Sequence, residues 1–390
     1  MQKEYSLWRQ DLHKYPEIGT DLHITSAKVA KLLKSFGLEV YENIGISGIV
    51  ASLKNGTSNR SIALRADMDA IPIQEENAFI YKSKHNGAMH ACGHDGHTTM
   101  LLVAAKELVK DPDFDGTVHF IFQPDEERGT GAQAMIDDGL FERFPADNVY
   151  GMHNIPGKPA GNFAIKSGSI MASESSFRIE IIGEGGHSSQ PAASVDPIVI
   201  GSEIIMALQT IVSRNTDSRE PTVVSVTNFE TDGTTNVIAS KAVITGDCRT
   251  FSESVQELIG KRIKEIANGI CIAHNAKLKY NYSKDFYPTV NSEQATINAV
   301  KSAIATVGSD RVEPNCDALT VSEDFSSMTR VKPGAYIFIG NGTWGNHCKM
   351  LHNSQYDFND EIIETGASYW INLVKQTLLN KKIWECIQII

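Results

Sequence analysis

The sequence predicts an α/β protein: a mixed, mostly parallel sheet flanked by helices, interrupted by an inserted α+β domain. Three observations carry this. The first part of the chain alternates short apolar strand patterns with amphipathic helical ones, which implies βαβ units. The pattern changes near Ser173 to half-buried alternating strands, and the first pattern resumes after Pro288. At 390 residues the chain is too long for one ordinary core, so two domains are expected.

The elements follow in order. Helical periodicity covers Glu4–Lys14 and Ser26–Phe36, then strands read "SGIVASLK" and "SIALRA". A long apolar helix begins near His97. "GTVHFIFQ" is a strand, "GAQAMIDDGLFE" a helix and "NVYGMHN" a strand. In the middle part "SFRIEIIG" alternates Phe177, Ile179 and Ile181 on one face. Asp196-Pro197 supplies an N-cap and a helix-start proline. Strands "PTVVSVTNFE" and "SKAVITGDCR" come next, then a helix opened by Ser254 with Glu257 as a capping box. A last strand, "AKLKYNYS", completes the order β-α-β-β-α-β, the ferredoxin-like split unit. The expected boundaries are 1–172 and 289–390 for the discontinuous main domain and 173–288 for the insertion. A helix over "ATINAVKSAIATV", a strand "GAYIFIG" and a closing helix around "DEIIETGASYWINLVKQTLL" finish the main domain.

Composition narrows the partners. Hydrophobic residues make up 41% and charged residues 21%, as in a globular protein in water. The net charge of −11 argues against nucleic acid or an anionic membrane, both of which need a basic face. The start "MQKEYSLWRQDLHKYPE" has no signal-type apolar segment, and no apolar run looks long enough to span a bilayer. The six scattered cysteines, with no CxxC pair, read as a reducing cytoplasm.

Chemistry concentrates where the main-domain strands stop, the place where open parallel sheets bind ligands. "SIALRA" runs into Asp67-Met68-Asp69, "TVHFIFQPD" into Glu126-Glu127, and "NVYGM" into His153-Asn154. "ACGHDGH" and "KMLHNSQYDF" each precede a helix. Carboxylates gathered at one rim repel one another, and divalent cations relieve this. The expected metal ligands are Cys92, His94, Glu127, His153 and His352. That S, N and O mixture suits zinc, with manganese, cobalt or nickel as alternatives. Asp69 reads as an acid orienting a ligand imidazole, and Glu126 as general base toward water. His90 and His97 read as structural. Asp95 would bond a ligand histidine or cap the helix. In the inserted domain, His187 of "GEGGHSSQP" could donate to a developing oxyanion, and Asn236 and Arg249 could grip a substrate carboxylate.

These motifs resemble one family along nearly the whole chain: "LHKYPEIG", "ALRADMDAIPIQE", "MHACGHDGHTTMLL", "FIFQPDEERGTGAQAMIDDGLF", "GMHN", "GGHSSQP", "NVIA", "SEDFSSM" and "LHNSQYDFNDEII". The family is that of the metal-dependent N-acyl-amino-acid amidohydrolases. It takes in hippurate hydrolases, bacterial aminoacylases, auxin-conjugate hydrolases and N-acetyl-diaminopimelate deacetylases. The resemblance implies a zinc-exopeptidase-like catalytic domain with a two-metal centre at Cys92, His94, Glu127, His153 and His352. It implies Glu126 as catalytic base beside Asp69, and His187, Asn236 and Arg249 on the substrate side of a lid and dimerisation domain. The implied reaction splits N-acyl amino acids into amino acid and carboxylic acid, with dipeptidase or carboxypeptidase action as the alternative within the family. Ala192, Ala239 and Val321 stand where relatives often carry histidine, proline and glycine. The tail "KKIWECIQII" is unlike a usual family end and reads as a surface-packing segment, a contact segment, or a cloning or frame artefact.

Overall fold

The computed structural model describes residues 2–379; the tail "KKIWECIQII" lies outside them. The chain forms two compact units. It leaves the first after Ile170, returns to it at Val290, and lends Ala318–Glu323 to the second, which is otherwise Met171–Thr289.

The first unit is built on an eight-stranded sheet. Its spatial order is Glu39–Ile44, Gly48–Asn55, Gly116–Gln123, Ser61–Asp67, Asn148–Pro156, Gly334–Gly342, Phe163–Ala164 and Val312–Glu313. The four central strands, Gly116–Gln123 through Gly334–Gly342, run parallel. Ser61–Asp67 and Gly334–Gly342 are buried at every position, as strands covered on both faces must be. The helix His94–Lys110 is buried continuously from His94 to Ala105, which explains why its sequence shows no broad polar face. It packs against Gln2–His13 on one side and Ile363–Thr377 on another.

Some sequence expectations needed revision. Glu39–Ile44 is an additional edge strand, unread because its side chains are largely exposed and carry no alternation. "GAQAMIDDGLFE" is two short helices, broken where Gly139 takes φ +80°.

The second unit has its own four-stranded antiparallel sheet in the order Thr222–Thr231, Lys241–Thr250, Ser173–Ile182, Lys277–Phe286. Two helices, Pro197–Thr210 and Glu253–Ala273, pack on it around Ile181, Ile204, Leu208, Ile244, Ile259 and Ile263. The Asp196 side chain caps the first helix at the Ile198 N–H, as the sequence predicts. The second starts earlier than expected: Ser252 is its N-cap, and Glu257 pairs with Lys284 instead of closing a capping box. The expectation that no apolar stretch reaches membrane length is also corrected. Pro197–Asn215 has 19 residues at a mean hydropathy of 1.3, enough by length and composition. Its Ile200, Ile204, Leu208 and Ile211 are buried in the unit's core, so the apolar content belongs to a domain helix.

Candidate metal centre and active site

The strands and helices of the first unit deliver the predicted residues to one place. The chain leaves Ser61–Asp67 into Asp69, and leaves Gly116–Gln123 through Pro124 and Asp125 into Glu126-Glu127. His153 lies within the strand Asn148–Pro156, which continues past it, and His94 is the first residue of its helix. His352 holds the left-handed region at φ +64°, and its N–H donates to the Ala91 carbonyl at 2.8 Å. That bond ties the fifth candidate ligand to the residue before Cys92.

The donor atoms form one continuous chain. Cys92 Sγ is 3.3 Å from His153 Nε2. Glu127 Oε1 is 3.4 Å from His352 Nε2 and 3.8 Å from His94 Nε2. Glu126 Oε2 is 3.9 Å from His94 Nε2. Three overlapping sets, Cys92–His94–His153, Cys92–Glu127–His352 and His94–Glu126–Glu127, each fit within 4.8 Å. Cys92 and Glu127 each belong to two of them, an arrangement that suits two cations sharing ligands.

Hydrogen bonds fix which nitrogen is free. His94 Nδ1 donates to Asp69, 3.0 Å from its carbonyl and 3.1 Å from Oδ1. His153 Nδ1 donates to the Asn154 carbonyl at 2.6 Å. Both rings therefore turn an Nε2 lone pair toward the other donors, the usual way ligand imidazoles are oriented. Asp69 reaches further: its Oδ2 accepts the Glu127 N–H at 3.1 Å. His94 Nε2 and Glu127 Oε1 are buried and have no hydrogen-bond partner among the described residues. Orphaned lone pairs of this kind are costly unless something electropositive meets them. The donor set fits divalent cations.

The electrostatics agree. Burial opposes charge on His94, yet Asp67, Asp69 and Glu127 lift its pKa to about 10, so the pocket attracts positive charge. Burial, then Glu127 and Glu126, push the Cys92 thiol well above its ordinary value, the reverse of what an activated nucleophile requires. Burial opposes ionisation of Glu127, but His352 and His94 hold its carboxyl below the usual range.

Close packing supports these groups. Gly93, between Cys92 and His94, sits at φ +96°, and a Cβ there would lie 2.2 Å from Asn154 Oδ1 and 2.8 Å from the Tyr356 hydroxyl. Asn154 Nδ2 donates to that hydroxyl at 2.6 Å, and His97 bonds Asp67 at 2.6 Å and Asn154 at 2.8 Å. Both ring nitrogens of His97 are thus engaged inside the protein. His90 is buried too, with no hydrogen-bond partner for either ring nitrogen among the described residues. Asp95 bonds no ligand histidine and instead serves the start of its helix, the other role expected of it. Its Oδ1 accepts the Gly96 N–H and its Oδ2 faces His13, 2.8 Å away on the N-terminal helix. Sequence reading passed over Asn154, Tyr356, Arg9 and His13. The motifs "GMHN", "LHKYPEIG" and "LHNSQYDFNDEII" contain three of them but give no sign of their partners.

In the second unit, His187 and Asn236 come together. His187 pairs with Val237 across a two-stranded ribbon, and the Ser188 N–H donates to the Asn236 carbonyl at 3.1 Å. His187 Nδ1 accepts from the Ser189 N–H at 3.2 Å, with the Ser189 hydroxyl 2.8 Å away. In the neutral ring the proton is then on the exposed Nε2, a donor. Arg249 is already engaged by Glu174 at 2.8 Å, Asp247 at 3.0 Å and the Ser322 hydroxyl at 2.8 Å.

Known proteins share this architecture. The chain is 43% identical to the hippurate hydrolase of Campylobacter jejuni, covering 97% of both chains. It is 36% identical to thermostable carboxypeptidase 1 of Saccharolobus solfataricus, over 92% of this chain and 91% of that one. The crystal structure of a dinuclear metal binding peptidase from Bacillus subtilis superposes with a TM-score of 0.84 at 27% identity, covering 97% of this chain and 98% of that one. With residues 63–376 matching its description, the chain belongs to peptidase family M20/M25/M40.

Proposed function

We propose that this metal-dependent amidohydrolase cleaves the amide bond of N-acyl amino acids, hippurate-like or N-acetylated, releasing an amino acid and a carboxylic acid. One observation carries the reading: beside the clustered donors stands a further buried carboxylate, Glu126, whose Oε2 is 3.9 Å from His94 Nε2. A protein that only stored metal would need no such base. The near-full-length likeness to a hippurate hydrolase supports the substrate class.

Cys92, His94, Glu127, His153 and His352 would hold two divalent cations, zinc first, since sulfur, nitrogen and oxygen donors are mixed. Bound cations would supply Lewis acidity toward the acyl carbonyl and make water acidic enough to deprotonate near neutral pH. Glu126 takes the proton of the attacking water and returns it to the leaving amine. Asp69 holds His94 in the tautomer that offers Nε2. His187 donates from Nε2 to the oxyanion, in its own or a partner copy's site. Asn236 holds the substrate carboxylate, and Arg249 assists to the extent that it gives up Glu174.

We infer a homodimer through the second unit. Met206 and Val199 are 71% and 57% exposed on the helix Pro197–Thr210, and Thr222–Thr231 is an edge strand of its sheet. An apolar face beside an open edge suits a two-fold partner, and light scattering on the eluting protein checks it. The unpaired cysteines Cys248, Cys271 and Cys316, all buried, support a cytoplasmic setting.

The function is tested with hippurate, N-acetyl amino acids and dipeptides on protein reloaded in turn with zinc, manganese and cobalt. N-acyl amino acids should give the highest kcat/KM. Dipeptides outrunning them would replace this reading with a carboxypeptidase, and hydrolysis of neither by metal-replete protein would leave a metal-binding protein.

A further inference from the structure

The N-terminal helix Gln2–His13 buries two basic side chains, Arg9 and His13, both with 0% exposure. A buried arginine is rare and needs full compensation. Its partners here come from two distant parts of the chain. Arg9 Nη1 lies 3.2 Å from Asp357 and 3.6 Å from Asp95, and its Nε donates to Asp360 at 2.6 Å. His13 bridges Asp95 at 2.8 Å and Glu75 at 3.2 Å. The Tyr81 hydroxyl donates to Asp357 at 2.8 Å, and its ring stacks under the Arg9 guanidinium at 4.5 Å.

The placement of those acids is the point. Asp95 directly follows His94 at the start of its helix. Asp357 follows Tyr356, whose hydroxyl bonds Asn154 next to His153, and both lie on the segment that begins at His352. Nothing in the hydrolytic chemistry uses Arg9 or His13.

We propose that Arg9 and His13 are positioning residues of the metal centre, tying the segment that carries His94 to the segment that carries His352 so that both histidines meet Glu127 together. The role rests on the proposed ligand set. His352 holds a left-handed backbone conformation that costs energy for a residue with a side chain, and such conformations persist where their surroundings overdetermine them. The Arg9 salt bridges, with the His352 N–H to Ala91 bond, are that surrounding. Burial disfavours a charged His13, yet Asp95 and Glu75 raise its pKa to about 9, so both clamp residues are cations at neutral pH.

The experiment compares cobalt(II) binding by the intact chain with that of His13→Gln, Arg9→Lys and Tyr81→Phe, using chelator competition and the visible cobalt spectrum. Cys92→Ser and Glu127→Gln serve as controls. His13→Gln should fold and bind cobalt about 10–100-fold more weakly, with an altered spectrum, the range seen when groups supporting metal ligands are removed. After metal saturation kcat should stay depressed with KM little changed, a split that a merely loosened fold would not produce. Arg9→Lys, keeping the charge but not the fork, should fall between. If His13→Gln does not fold, Tyr81→Phe removes only the hydroxyl given to Asp357 and reads the same affinity. Cobalt affinity within about twofold of wild type in any folded variant overturns the clamp. If the two control variants also bind both metals normally, it is the ligand assignment that fails.

Discussion

The two units handle their polar groups in opposite ways. In the first, Asp67, Asp69, His94 and His97 are each at most 2% exposed and bonded to one another, so the donors are held before any ligand arrives. In the second, His187 and Asn236 ride an exposed two-stranded ribbon whose support is a few backbone bonds. Preorganisation and adaptability are divided between the units. Fixed geometry serves water activation, where small displacements cost rate. Under the proposed function, the exposed ribbon would serve recognition of the acyl amino acid.

That contrast can be broken at several points. The largest effect is expected at Glu126. Glu126→Gln should keep its metals and lose about 10²–10⁴ in kcat, the share a general base supplies. Near-normal turnover by a metal-replete variant would remove Glu126 from the mechanism. His187→Ala should lose roughly 10²–10³ in kcat, as oxyanion donors do, with no change in melting temperature because the side chain is exposed. A lowered melting temperature would mean that the ribbon is structural after all.

In the first unit, Gly93→Ala should destabilise the fold by about 2–4 kcal/mol, because the new Cβ meets Asn154 Oδ1 at 2.2 Å on a left-handed backbone. A urea midpoint equal to wild type would show that the packing yields easily. An effect of similar size depends on pH. The His13 pKa rises on folding, from about 6.5 to about 9, because the Asp95 and Glu75 bonds outweigh burial. Its contribution is complete below pH 6.5, drains away as pH climbs to 9, and is absent above. The stability advantage of wild type over His13→Gln, measured on metal-free protein, should therefore shrink by on the order of 3 kcal/mol between pH 6 and 10. A gap that stays constant over that range would mean His13 is neutral throughout.

How much of this was legible in the sequence follows the same division. The donors could be read because strand ends are marked by abrupt changes from apolar to acidic or imidazole residues, and a parallel sheet brings such ends to one rim. The inserted domain could be read from strand and helix order alone. The supporting residues could not. Arg9 looks like a surface charge on an amphipathic helix, Asn154 like an ordinary strand-end residue and Tyr356 like an ordinary loop residue. Their roles depend on partners 202 or more residues away, Arg9 with Asp357 and Asn154 with Tyr356, which no local pattern encodes. Arg249 shows the same limit: an arginine at a strand end suggests a carboxylate grip, but nothing local announces that Glu174 and Asp247 of the same unit already pair with it.

The interrupted connectivity also sets an order of assembly during synthesis. Apart from Ala318–Glu323, the second unit is one continuous stretch and can fold as it emerges. The host sheet cannot close then, because its strand beside Asn148–Pro156 is Gly334–Gly342, made much later. His352 comes later still. A nascent chain paused after the insertion would hold Cys92, His94, Glu127 and His153 without the fifth donor, so the hydrolytic centre is among the last parts of the molecule to be completed.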